Sequence, residues 1–295
     1  MFAVMGVTGQ VGGAVASRLL RLGMKVRAVV REPRKAGVWA ERGCEIAFAD
    51  VNDAGALYRA FSGTDGAFVM LPPIFDPAPG FPEARRAIAN LHRSLSSATP
   101  GRVVVLSTIG AHQDRQSLLY QLHLLERELK TLPVPVLFLR PAWFMENTSW
   151  DLESARARGV VASFLQPLDK TFPMIAAQDV GAVAAELLLE DWEGIRVVEI
   201  EGPDRVSPAL VGDTLTRLLN RPVCADLVAR DDWESAFRLA GMKNPAPRIL
   251  MLDGFNQGWI EFEAGQDGSR KTETSLAEAL GELVKRQSSA GGAQQ

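Results

Sequence analysis

One short run near the start of the chain constrains it more than any other: Phe2-Ala3-Val4-Met5, then Gly6-Val7-Thr8-Gly9-Gln10-Val11-Gly12, then an amphipathic stretch from Val11 to Leu22. Glycines at 6, 9 and 12 let the backbone turn sharply and come close to a pyrophosphate. A helix that starts inside such a loop turns free N–H groups and the positive end of its dipole toward the same phosphates. Gly23 ends that helix and a second apolar run, Lys25–Val30, follows it. A strand before the glycines, a helix after them and a second strand beyond make a dinucleotide-binding fingerprint of an otherwise weak pattern. The candidate cofactor residues here are Gly6, Thr8, Gly9, Gln10, Val11 and Gly12.

The same rhythm continues. Further strands are expected at Glu45–Ala49, Gly66–Leu71, Arg102–Leu106 and Val136–Leu139, with helices at Asn52–Phe61, Pro82–Ala98 and Ser117–Lys130. The strand runs are continuously apolar rather than alternating, as in parallel strands covered on both faces. After Arg140-Pro141 the rhythm breaks. A helix is expected from Glu146 to Arg158, then a loop over Phe164–Pro173. Asp179 is placed to cap a helix reaching Glu190, Val197–Ile200 reads as a late strand, and Ser207-Pro208 opens another helix. The expected fold class is α/β, a doubly wound parallel Rossmann sheet with a smaller mixed C-terminal substrate lobe. Residues 1–145 would form the nucleotide-binding domain, 146–287 a lobe interwoven with the sheet, and 288–295 a disordered tail.

Composition excludes several classes. Among 295 residues, 32 Lys and Arg face 35 Asp and Glu, a net charge of −3. With no basic recognition helix either, direct nucleic-acid binding is disfavoured. The two cysteines, Cys44 and Cys224, lie far apart, and three histidines offer no zinc-ligand spacing, so no metal site is expected. No apolar run reaches the ~18 residues of a membrane span. Phe2–Met5 reads as a strand rather than a leader, and a cytoplasmic location is expected.

The end of the second strand speaks to the choice of dinucleotide. An acidic residue there suits the ribose 2′-hydroxyl of NAD(H), whereas an arginine accommodates the 2′-phosphate of NADP(H). Arg31 stands at that position, with Arg34 and Lys35 close behind, which favours NADP(H) over NAD(H). Glu32, one residue late, keeps the ribose alternative open. Asp50 and Val51, after the third strand, are expected beside the adenine, and Leu71 and Pro72, after the fourth, beside the nicotinamide ribose.

With these residues the chain resembles the NmrA-like group of atypical short-chain dehydrogenases. The glycine loop carries the likeness, with Val26-Arg27-Ala28-Val29-Val30-Arg31, Asp50-Val51, Ser107-Thr108-Ile109-Gly110-Ala111-His112 and Leu139-Arg140-Pro141-Ala142-Trp143-Phe144-Met145-Glu146-Asn147. The resemblance implies either an NADPH-dependent reductase, quinone reductases included, or a regulator that binds the dinucleotide and senses its redox state without turnover. It also places Ser107 where the family's serine would bind a substrate oxygen, and Asn147 on the substrate side.

Ordinary short-chain dehydrogenases use a Tyr-x-x-x-Lys pair on the helix after the fifth strand, where the lysine lowers the phenol pKa. Tyr58 is followed four residues on by Ser62, and Tyr120 by Leu124, so the lysine is missing. Tyr120 and His123 lie one turn apart, with Arg127 beyond. His123 could partly replace the lysine, and His112 lies on the loop after Ser107. Trp143, Phe144, Trp150 and Phe164 are expected to form an aromatic wall for a planar small-molecule acceptor. Two readings follow: a reductase of quinone-like or conjugated acceptors, or a sensor with a regulatory protein partner.

Overall fold

The computed structural model describes residues 1–292. In chain order, β1 (Phe2–Met5), α1 (Gln10–Arg21), β2 (Val26–Val30), α2 (Gly37–Glu41), β3 (Glu45–Phe48), α3 (Ala54–Phe61) and β4 (Gly66–Met70) come first. Then follow α4 (Pro82–Ala98), β5 (Val103–Leu106), α5 (Tyr120–Leu129), β6 (Val136–Pro141), β7 (Trp143–Phe144), α6 (Leu152–Arg158) and β8 (Val160–Ser163). The remainder is β9 (Met174–Ile175), α7 (Ala177–Leu189), β10 (Ile195–Glu201), α8 (Pro208–Leu219), β11 (Cys224–Leu227), α9 (Trp233–Leu239), α10 (Ala246–Gln257), β12 (Arg270–Lys271) and α11 (Leu276–Gly292). The chain forms two compact units, Met1–Pro141 with Ala177–Glu199, and Ala142–Ala176 with Ile200–Gln295.

In the first unit the strands run in the order β10-β6-β5-β4-β1-β2-β3. β1 pairs in parallel with both β2 and β4, Val4 facing Ala28 on one side and Phe68 on the other. The order therefore reverses beside β1, and in sheets of this kind ligands bind beyond the carboxyl ends of the strands at that reversal. Ala3, Val4, Ala28, Phe68, Val104, Leu137 and Phe138 are all fully buried, which is why their runs are continuously apolar. The first six expected strands and four expected helices are present, each within a few residues of its expected ends. The three-residue 3₁₀ turn Pro33–Lys35 and the short α2 were not anticipated.

The boundary expected at residue 145 is corrected by α7. A Cβ on Gly181 would lie 2.3 Å from the Ala14 Cβ and 2.8 Å from the Val11 carbonyl, so α7 lies backbone to backbone on α1. Residues 177–199 therefore belong with the nucleotide-binding unit rather than with the lobe. Asp179 sits inside the first turn of α7 and not at its cap. Ser207 does cap α8, its Oγ accepting the Leu210 N–H at 3.2 Å. The helix expected over 146–158 is split into a 3₁₀ segment, Met145–Trp150, and α6. The tail expected to be disordered from 288 continues α11 as far as Gly292, since no proline interrupts it; residues 293–295 lie outside the described residues.

The second unit carries two short parallel pairs, β8 with β11 and β7 with β9. The last two residues of β10 pair in parallel with β12. Glu201 is fully buried there and accepts Ser269 Oγ at 2.5 Å, with Lys271 Nζ at 3.0 Å and Arg205 Nε at 3.2 Å. A buried carboxylate is tolerable only when it is paired this fully. No helix among the described residues is long and apolar enough to cross a membrane.

Candidate functional site

The glycine loop forms as expected, but its three glycines serve different ends. Gly6 has φ +67°, and a Cβ there would meet Met70 Sδ at 2.6 Å. At Gly12 a Cβ would fall 2.3 Å from the Gly6 carbonyl oxygen and 2.5 Å from that of Met5. Gly12 is thus required by the packing of α1 on the loop itself, where the sequence assigned it to the pyrophosphate. Gly9 is different: its φ of −99° suits any residue, and its nearest neighbour would be the Gly6 oxygen at 3.4 Å. Thr8, Gly9 and Gln10 are exposed, Val11 turns its side chain inward, and no side chain caps α1. The first N–H groups of α1 are therefore free to meet an anion, and no acidic residue in the first turn opposes one.

Beyond β2, Glu32 is encircled by cations. Its carboxylate lies 2.6 Å from Arg34, 2.7 Å from Lys35 and 3.6 Å from Arg31. The Lys35 ammonium and the Arg34 guanidinium together hold it down to about 2. The cluster thus keeps a surplus of positive charge, and Arg31, the most loosely held of the three, is largely exposed. Asp50 accepts both the backbone and the side-chain N–H of Asn52 at 2.8 Å, and the Val51 carbonyl accepts Asn90 Nδ2 at 3.1 Å. Leu71 is buried and Pro72 half-buried at the end of β4.

Beneath the end of β5 lies a buried ionic network that sequence reasoning missed. Arg140 on β6 donates to Glu126 on α5 through Nε at 2.8 Å and Nη2 at 2.7 Å, and to Glu199 on β10 through Nη1 at 3.3 Å. Ser107 Oγ lies 2.6 Å from Glu126 Oε1, and all four residues are buried. An ionised, arginine-bound carboxylate only accepts hydrogen bonds, so the Ser107 hydroxyl is the donor. Its single proton is committed inside the protein. In this structure that proton goes to Glu126, where the resemblance expected Ser107 to bind a substrate oxygen. The available signal was Glu126 and Arg140, two charged residues set in apolar surroundings.

The other expected proton-handling residues are also held by the fold. Tyr120 is buried at the start of α5, stacked on His123 with ring centres 5.2 Å apart and tilted against Phe81 at 5.5 Å. Leu124, in the place of the absent lysine, is buried. His123 Nδ1 lies 2.9 Å from the Ala111 carbonyl, so it carries the proton and donates it there. The imidazole clasps the loop after β5 and stacks on Tyr120 rather than sharing a proton with it. His112 Nε2 meets the Gln113 side-chain amide at 2.8 Å, while its Nδ1 is buried with no partner among the described residues. Gln121, unassigned from sequence, donates to the Ile74 carbonyl at 3.0 Å and ties α5 to the loop after β4.

The aromatic residues lie in the second unit and divide into two groups. Trp143 meets Phe255 edge-on at 5.1 Å. Phe164 stacks on Phe237 at 4.8 Å and meets Trp233 at 5.8 Å. Trp150, more than half exposed, lies 5.8 Å from the Arg248 guanidinium, which is 4.9 Å from Phe237. Phe144 and Asn147 are half-buried. α10 supplies both Phe255 and Arg248, and its Asn256 binds the Phe164 carbonyl at 2.9 Å and the Gln166 N–H at 2.9 Å. The expected single wall is thus two aromatic groups joined by one helix. Trp233 and Phe237, one turn apart on α9, were missed by sequence reasoning, which gave no sign that they pack on Phe164.

The model of a family described as NAD(P)H-binding matches residues 6–191. The chain belongs to this NAD(P)H-binding family. It is 30% identical over 226 residues to a (4-alkanoyl-5-oxo-2,5-dihydrofuran-3-yl)methyl phosphate reductase of Streptomyces griseus, covering 76% of this chain and 75% of that one. It is 26% identical over 244 residues to an NAD(P)H azoreductase of Xenophilus azovorans, covering 82% of each. In fold it is similar to an NADPH-dependent quinone oxidoreductase of Escherichia coli, with a TM-score of 0.78 and 22% identity over 96% of this chain and 100% of that one. The expected fold class and a nicotinamide dinucleotide as cofactor are borne out.

For a member of this family, the geometry separates two glycine substitutions. Gly9→Val places a branched side chain at the open start of α1, beside helix N–H groups that could hold an anion, and meets no atom of the loop closer than the Gly6 oxygen at 3.4 Å. Dinucleotide affinity measured by calorimetry should fall at least tenfold, on the order of the 1.4 kcal/mol that factor represents, with little change in melting temperature. Gly12→Ala should instead lower the melting temperature strongly, because its methyl group meets backbone atoms that cannot move aside.

Proposed function

We propose that the protein is an NADPH-dependent reductase of quinone-like and other conjugated acceptors. The observation that carries this reading is the commitment of the Ser107 proton to buried Glu126, together with Leu124 in the lysine position beside buried Tyr120. Reducing an isolated ketone or aldehyde creates a strongly basic alkoxide, which requires a general acid within reach. Hydride addition to a quinone leaves a weakly basic phenolate that takes its proton from water. A site whose serine proton goes to Glu126, and whose tyrosine lacks the lysine that would lower its pKa, suits the second reaction. The nicotinamide, when bound, supplies the hydride. The chain's part is to hold the pyrophosphate at the start of α1 and to position the dinucleotide beyond β1 and β4. The likeness to an azoreductase and to a phosphate-ester reductase supports a reduction of this kind, and the surplus of cations around Glu32 supports NADPH as the donor.

Oxidation of NADPH against a panel of quinones, enones and aldehydes tests the reading. Quinones should be reduced, and aldehydes and simple ketones should not. Tight NADPH binding with no acceptor turned over would overturn it and favour the redox-sensing alternative. The donor is tested separately: Arg31→Ala should weaken NADPH binding by about 1–3 kcal/mol, the range of a charge-assisted hydrogen bond, and leave NADH nearly unchanged. Equal weakening of both would remove Arg31 from the 2′-phosphate site.

A further inference from the structure

Two arginines of the second unit lie on its aromatic cluster, and they differ in one respect. Arg230 lies 4.8 Å from the Trp233 ring and forms a two-pronged pair with Asp253, Nε to Oδ1 at 2.8 Å and Nη2 to Oδ2 at 2.7 Å. Arg248 lies within cation–π range of both Trp150 and Phe237, yet no carboxylate or carbonyl accepts from it among the described residues. Burial alone weakens its hold on its proton, with no offsetting anion. Cation–π contacts use the charge of a guanidinium but leave its N–H donors unbonded. A partly desolvated cation held without a counter-ion is unfavourable for folding, and its anion has to come from elsewhere.

We infer that Arg248, between Trp150 and Phe237, is a binding site for the oxyanion of a planar aromatic or conjugated molecule: a carboxylate, sulfonate or phosphate grips the guanidinium fork while the π-system lies against the neighbouring rings. Trp150 is 58% exposed, so the ring beside Arg248 remains accessible to such a ligand. A guanidinium binds a planar oxyanion bidentately, and aromatic neighbours favour a flat apolar body attached to it. This site lies wholly within the second unit and does not rest on the reductase reading.

The test uses 2-naphthoate and 2-naphthamide, which share a ring system and differ in charge. Calorimetry on the full chain should show naphthoate binding about tenfold or more tighter than naphthamide, the scale of a charge-assisted pair. In Arg248→Gln the preference should fall to within about twofold, and Arg248→Lys, which keeps the charge but not the fork, should retain part of it. Unchanged NADP⁺ affinity reports that each variant is folded. Equal affinities of the wild type for the two compounds would overturn the proposal without reference to any variant, as would a preference that survives in Arg248→Gln. No hydride moves in this experiment. Its failure leaves the reductase reading standing, and failure of the acceptor panel leaves the oxyanion site standing.

Discussion

The salt-bridged triad Glu126–Arg140–Glu199 joins α5, β6 and β10 beneath the carboxyl end of the sheet, and Ser107 at the end of β5 is bonded into it. Arg140 holds two buried carboxylates at once, and breaking a buried ion pair by removing one partner is an effect of about 3–5 kcal/mol. The geometry of the strand ends is thereby set by charge as well as by packing. Ser107 shares these contacts, giving its hydroxyl proton to the Glu126 oxygen that also accepts from Arg140 Nε.

Most of the nucleotide-binding unit was legible because its determinants are local. Continuous apolar runs mark strands buried on both faces, Gly23 ends α1, and the glycine loop joins strand to helix in a way few other turns can. What was not legible depends on distant contacts. Gly181 looks like any helical glycine until α7 lies on α1, and only that contact moves residues 177–199 out of the lobe. Asp179 had the composition of a cap but falls one turn late, since Ala177 already lies within the helix.

The candidate residues were legible in their elements and less so in their contacts. Gly6, Gly9 and Gly12 were all assigned to the cofactor, yet a side chain at Gly12 would run into backbone atoms, whereas at Gly9 the nearest atom would be the Gly6 oxygen at 3.4 Å. Tyr120 and His123 were correctly set on one helix, but their ring stacking and the His123 bond to Ala111 are tertiary facts that spacing does not carry. Arg248 gave no signal at all. An arginine in a helix is ordinary, and only the lack of a counter-ion among its neighbours makes it unusual.

The central claim is that reduction proceeds without a proton donated by the protein. The solvent deuterium isotope effect on the steady-state oxidation of NADPH by a quinone, followed across the neutral pH range, tests it most directly. The account predicts an effect near unity and a rate that varies little with pH, because no protein-bound proton is in flight as the hydride moves. A large isotope effect, accompanied by loss of rate through a single ionisation, would show a general acid at work in the site and would contradict it.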